Sequence, residues 1–190
     1  MIQKREHIVK KAAKLIHLKG YRDTSMEEIL TAAKISKGQF YYYFSSKEEL
    51  GLVILDYVFA KWKKNIVENI LETNKLPKEK IAAMLDYIIE CKSAKKIKYG
   101  CIFGNLSIEL SNHSEVFRKK LAAIFDFWIN EVKLVIDDIE EKDRDTTLDS
   151  RILAQTIVSV IEGVTLLTKN NRNIAMMVDV FQNMKKIMKI

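Results

Sequence analysis

The densest set of residues able to do chemistry lies between Thr24 and Lys47. Lys37, Gln39 and Tyr42 offer an ammonium, an amide and a phenol, and their spacing turns all three outward on one short helix. Phosphate oxygens and the edges of bases are the partners such groups fit. Gly38 lies among them without a side chain, so a partner can come close to the backbone. The N-terminus of the same helix points positive partial charge forward, which favours an anion.

A second chemistry is carried by Cys101, which follows Gly100 at the start of a short segment. A helix N-terminus and the nearby Lys95, Lys96 and Lys98 would favour a thiolate open to oxidants or electrophiles. The plainer alternative is a free cysteine packed as a small hydrophobe. Cys91 falls off the apolar face of Ile81, Leu85 and Ile88 by about half a turn and reads as structural. His7, His17 and His113 are scattered, so no zinc site is expected. No Ser/His/Asp spacing, phosphate loop or dinucleotide fingerprint is present, so neither an enzyme nor a bound cofactor is expected.

The elements that must hold these groups are helical. Only one proline and six glycines occur in 190 residues, too few for the turns of an all-β chain. The chain is 48% hydrophobic and 30% charged, as in ordinary globular proteins. Two cysteines exclude a disulfide scaffold and suit a reducing cytoplasm. The start has no continuous apolar stretch of the signal-peptide kind, and no run approaches the ~20 apolar residues of a membrane span, so no membrane partner is expected. The net charge of +7 suits an anionic partner, though solvated lysines alone would also account for it.

A first helix is expected over 3–19, with Ile8, Val9, Ala12, Ala13 and Ile16 on its apolar face and Gly20 ending it. Ser25 with Glu28, and Ser46 with Glu49, have capping-box spacing, and Ser36 reads as a third N-cap. Short helices follow over 26–33 and 37–43, then a long one from Lys47. The run Phe40-Tyr41-Tyr42-Tyr43-Phe44 has strand propensity, but its flanking caps and the want of a partner strand favour helix. Pro77 opens a fifth helix. A lysine-rich connection over 93–99, a segment over 101–110, a long helix from 115 to about 140, an acidic loop over 143–147 and two final helices complete the chain. Ile35 and Phe40 can pack back on Ile29 and Leu30, which sets the angle of a helix-turn-helix. The expected fold is all-α with about nine helices, divided within the fourth helix into domains 1–48 and 49–190.

The stretch Thr24-Ser25-Met26-Glu27-Glu28-Ile29, then Ala32 to Phe44, then Lys47-Glu48-Glu49-Leu50 resembles the DNA-binding domain of the TetR family of bacterial transcriptional regulators. The segment 100–110 is similar to one found in a branch of that family. The resemblance implies a homodimeric, operator-binding regulator, most simply a repressor released by a small molecule. It implies phosphate contacts for Thr24 or Ser25, Tyr41 and Lys47, with Ser36 beside them as cap. It implies major-groove contacts for Lys37, Gly38, Gln39 and Tyr42, and packing roles for Phe40 and Phe44. Lys34 stands where the family usually has glycine, and Tyr43 where histidine is common, with a phosphate contact still open to its hydroxyl. The first fifty residues hold ten basic and six acidic side chains, net +4, against 22 and 19 in the rest, which agrees with a DNA-binding head.

For the implied effector, the candidates are Tyr87, Cys91, Tyr99, Cys101, Phe103, Asn105, Phe117, Phe125 and Trp128, with core packing as the alternative for each. The last two helices carry wide apolar stripes, Leu153 to Leu167 and Ile174 to Met188, and are expected to pair with their copies in a dimer. A thiol-sensing regulator acting through Cys101, a helical enzyme and a helical protein-interaction module are the rival readings.

Overall fold

The computed structural model describes residues 2–92, 97–139 and 148–189. Among the described residues the protein is all-α, with nine α-helices and no strand. They are α1 (Ile2–Lys19), α2 (Met26–Ala33), α3 (Lys37–Tyr43), α4 (Lys47–Trp62), α5 (Pro77–Cys91), α6 (Ile102–Leu110), α7 (Glu115–Asp137), α8 (Ser150–Asn171) and α9 (Ile174–Met188). The connection expected over 93–99 is described only at Ile97–Tyr99, a single 3-10 turn. The acidic stretch 143–147, Lys95 and Lys96 lie outside the described residues.

The chain forms two compact units. The first holds Met1–Lys61 and a returning segment, Ile102–Leu121; the second holds Trp62–Cys101 and Ala122–Ile190. In the first unit α1 packs on α2, and Ile8, Ile16, Ile29, Phe40, Phe44 and Leu50 are all buried. Phe40 and Phe44 lie against one another with ring centres 5.6 Å apart. Either one truncated to alanine would cost about 3–5 kcal/mol, because the site cannot fully collapse.

Side-chain caps set the helix starts. Ser25 Oγ accepts the Glu28 amide at 3.2 Å, and Glu28 accepts the Ser25 amide at 2.8 Å. Ser36 and Gln39 repeat the box with both bonds at 3.2 Å. Glu49 donates its amide to Ser46 Oγ at 3.0 Å and accepts from the amide of Ser45 at 2.7 Å. Each cap is worth about 1 kcal/mol. Between α2 and α3, Lys34 takes the left-handed conformation at φ 53°, ψ 51°, so the glycine-like turn is made by a lysine. The Ile35 amide closes that turn onto Leu30 O at 3.0 Å.

The second unit has its own core, in which Met84, Leu85, Val132, Ile157, Ile161, Met177 and Phe181 are buried together. Lys185 Nζ reaches Asp86 Oδ1 at 2.6 Å and ties α9 to α5. Here α4 continues into a nine-residue π-helix, Lys63–Leu71, a form rarely seen beyond a single turn. The edge of the Trp62 ring meets Trp128 with ring centres 5.2 Å apart. α8 is long and apolar enough, by length and composition, to cross a membrane, which qualifies the expectation that no run approaches that size. Its buried Ala154, Ile157, Ile161 and Val164 belong to this core, which accounts for the apolarity.

Candidate nucleic-acid interface

The interface is built from α3 outward. Phe40 points inward and is fully buried, which fixes the rotation of the helix. Lys37, Gly38 and Gln39 are then exposed, with Tyr41 at 51% and Tyr42 at 67%. Their faces are left largely open to an external partner. The Tyr42 and Tyr43 rings meet edge to face at 4.9 Å, and Tyr41 leans on Phe40 at 5.3 Å, so the phenols are held in place. A Cβ built on Gly38 would find nothing nearer than Ser36 Oγ at 4.0 Å. The fold does not require glycine there; a close external partner would.

Several of the expected contact residues also have duties inside the chain, Ser25 in the cap of α2 among them. Ser36 and Gln39 cap α3. Thr24 is completely buried, and its hydroxyl donates to Gly20 O at 2.6 Å. Of the expected pair, Thr24 serves the turn after α1, and the exposed Ser25 is the one open to a partner.

Lys47 is half-buried, donates to Tyr21 O at 2.6 Å and sits 4.4 Å from the centre of the Tyr21 ring. Burial lowers its pKa, while the charges of Glu109, Asp23 and Glu28 oppose that shift. Tyr21 itself is pushed up to about 12, by burial first and by the Glu48 charge second. On α2, Glu28 is held down to about 2, first by its ion pair with Lys19 and then by the Ser25 amide.

Several residues of this unit gave no sign in the sequence. Glu109 Oε2, on α6, accepts the amides of Tyr21 at 2.8 Å and Arg22 at 3.2 Å. Arg22 also meets His113 Nε2 at 2.9 Å, and Ser114 Oγ donates to Glu48 at 2.9 Å. Arg5 covers the Phe44 ring at 4.8 Å. Spacing could not have revealed these pairs, because most join residues far apart in the chain.

The expected effector residues are divided between the units. Phe103, Asn105 and Phe117 belong to the first, where Phe117 meets Tyr21 edge-on at 5.3 Å as part of the packing. Tyr87, Cys91, Tyr99, Cys101, Phe125 and Trp128 belong to the second. Tyr87 is pushed up to about 12, mainly by burial, and its hydroxyl bonds with Cys91 and Asn65. Trp128 is buried, and its indole N–H has no hydrogen-bond partner among the described residues. Phe125 stacks on it with ring centres 6.5 Å apart. Such an orphaned buried donor asks for an explanation.

Cys101 lies at the start of α6, in contact with α8. Its thiol is hydrogen-bonded to Glu162, whose pKa is raised by burial and held back by that bond and by Lys92. Lys92 spends its ammonium on Gly100 O at 2.6 Å, and Lys98 lies 5.3 Å from the Tyr99 ring. An acid is therefore one neighbour of this thiol, while Lys95 and Lys96 lie outside the described residues. Among those residues no cluster of His, Cys, Asp and Glu has metal-binding geometry.

Comparison with known proteins agrees with this architecture. Residues 8–52 match the model for bacterial regulatory proteins of the tetR family. Residues 77–183 match the C-terminal domain of LmrA/YxaF-like transcriptional regulators. An uncharacterized HTH-type transcriptional regulator of Lactococcus lactis subsp. lactis is 34% identical over 95% of this chain and 91% of its own length. The HTH-type transcriptional repressor DhaR of Mycobacterium sp. (strain GP1) is 30% identical over 89% of this chain and 84% of its own. The reduced form of Escherichia coli NemR superposes with a TM-score of 0.88, at 23% identity, over 97% of this chain and 96% of that one. With a helix-turn-helix at one end and a matched regulator domain over most of the remainder, the chain belongs to the tetR family of bacterial regulatory proteins.

Proposed function

We propose that this protein is a DNA-binding transcriptional repressor that reads an inverted-repeat operator as a homodimer and lets go when a small molecule binds. The observation that carries the reading is the exposed row Lys37, Gln39, Tyr41 and Tyr42 around an unobstructed Gly38. Its donors suit phosphates and base edges in the major groove. In this division of labour residues 1–48 form the reading head and 49–190 the sensing and dimerising part, at work in the cytoplasm. DhaR, which carries the name of a repressor, supports the sign of regulation.

Dimerisation is assigned to the last two helices. The apolar stripe of α8 is mostly spent inside its own unit, where Ile157, Ile161 and Val164 are buried. Left over is a second face made by Ile152, Thr156, Ser159, Gly163 and Leu166, all exposed and all at helical spacing. A Cβ on Gly163 would meet nothing within 4 Å, so the small residue is free for a close helix–helix approach. Two copies joined about a two-fold axis present two heads, which calls for a palindromic site.

The effector is assigned to the aromatic cluster of the second unit. The Trp128 N–H, without a partner among the described residues, supports this, because a ligand acceptor would satisfy it. The Cys101 reading has less support, since its described neighbour is Glu162.

Selection of duplexes from a random pool by the full-length chain tests the proposal. An enriched inverted repeat is the expected result; a pool left unenriched at low salt defeats it.

A further inference from the structure

We propose that Glu109 is the positioning residue that sets the pose of the DNA-reading head, through the loop between α1 and α2. The inference rests on the DNA-binding reading above and concerns a residue outside the reading helix. Tyr21 is held on every side. Its amide donates to Glu109 at 2.8 Å, its carbonyl accepts from Lys47 at 2.6 Å, and its ring packs against Phe117 at 5.3 Å. The same Glu109 oxygen takes the Arg22 amide at 3.2 Å.

Gly20 shows that the loop is shaped around this carboxylate. Its φ is +96°, and a Cβ there would stand 2.7 Å from Glu109 Oε1, closer than atoms pack. The glycine serves both the backbone conformation and the approach of the acid. The Lys47 ammonium, the cation expected on a phosphate, is held by the carbonyl and ring of Tyr21, so the residue whose amide Glu109 fixes also places Lys47.

α6 carries the carboxylate: Glu109 stands in the last turn of that nine-residue helix, inside the same unit as Tyr21 and Lys47.

The test uses the full-length chain, the duplex enriched by selection, and fluorescence anisotropy across a salt series. Glu109→Ala is expected to weaken binding at least tenfold and to flatten the log–log salt slope by about 0.9, the loss of one phosphate contact. Glu109→Gln keeps an acceptor for both amides and is expected to stay within about threefold of wild type. A folded Glu109→Ala protein with a lower thermal midpoint but wild-type Kd and slope overturns the proposal. If Glu109→Ala does not fold, Glu109→Asp, whose carboxylate is withdrawn by one methylene, is held to the same comparison. Amide exchange at Tyr21 and Arg22 reads the grip without DNA: a tenfold acceleration in Glu109→Ala is expected, and unchanged exchange overturns it. A wild-type chain that enriches no duplex defeats the DNA-binding reading instead, and the exchange measurement still decides whether Glu109 holds the loop.

Discussion

Gln39 has two tasks, and its chemistry allows both. One lone pair of its amide oxygen accepts the Ser36 N–H at 3.2 Å and closes the cap of α3. The second lone pair and the NH2 group remain for a bidentate pair with adenine. Gln39→Ala should relax base preference at one position of the operator, measured as a flattened base distribution in a repeated selection. Tyr41→Ala and Lys47→Ala should instead weaken all sequences alike, because phosphate contacts carry no base information. For Lys47 the salt slope should also fall by about 0.9.

Glu28 gives the head a pH dependence. Its folded pKa, held to about 2, lies below its ordinary value. Its contribution is therefore complete above about pH 4.5 and is lost as pH falls toward 2. The start of α2 should fray over that window, seen as a falling protection factor of the Ser25 amide that the Glu28 carboxylate accepts, while Glu28→Gln should show no such step.

At the scale of the element, Gly51 marks where α4 lets two aromatic rings touch its backbone. A Cβ there would lie 2.6 Å from Phe117 Cζ and 2.8 Å from Tyr21 Cε2. Both rings are anchored by their own packing, so Gly51→Ala should destabilise the protein by about 1–3 kcal/mol in a denaturant melt. Most element starts were legible because they are written locally. Ser25 with Glu28 and Ser46 with Glu49 declare their caps within four residues, and Pro77 opens α5 as its fixed φ suggests.

The π-helix was not legible. Ile66, Val67, Ile70 and Leu71 give an apolar face under either helical winding, and neither glycine nor proline interrupts them. The site divides in the same way. The reading residues follow one another along a single helix, whereas Glu109 and Tyr21 are joined across 88 residues and carry no shared spacing. The thiol shows the same limit: the lysines weighed for Cys101 are its neighbours in sequence, whereas Glu162, which also interacts with it, stands much further along the chain.

At the scale of the whole molecule, the proposed dimer determines how the charge is used. A head of net +4 is a modest attraction for DNA, and pairing presents it twice. Gly163→Arg would place a long cation on the small-residue face of α8 without touching the core, since the added Cβ has open space. It should yield a folded monomer by analytical ultracentrifugation, with operator affinity reduced at least a hundredfold.

The chain passes between the two units three times, after Lys61, after Cys101 and after Leu121. Reading specificity is for this reason not a detachable N-terminal cassette. A head cut at Lys61 would lose Phe117 from beside Tyr21 and the carboxylate that holds its first loop. Grafting this protein's operator preference onto another sensor would require transplanting 102–121 along with 1–61, a discontinuous exchange of two segments.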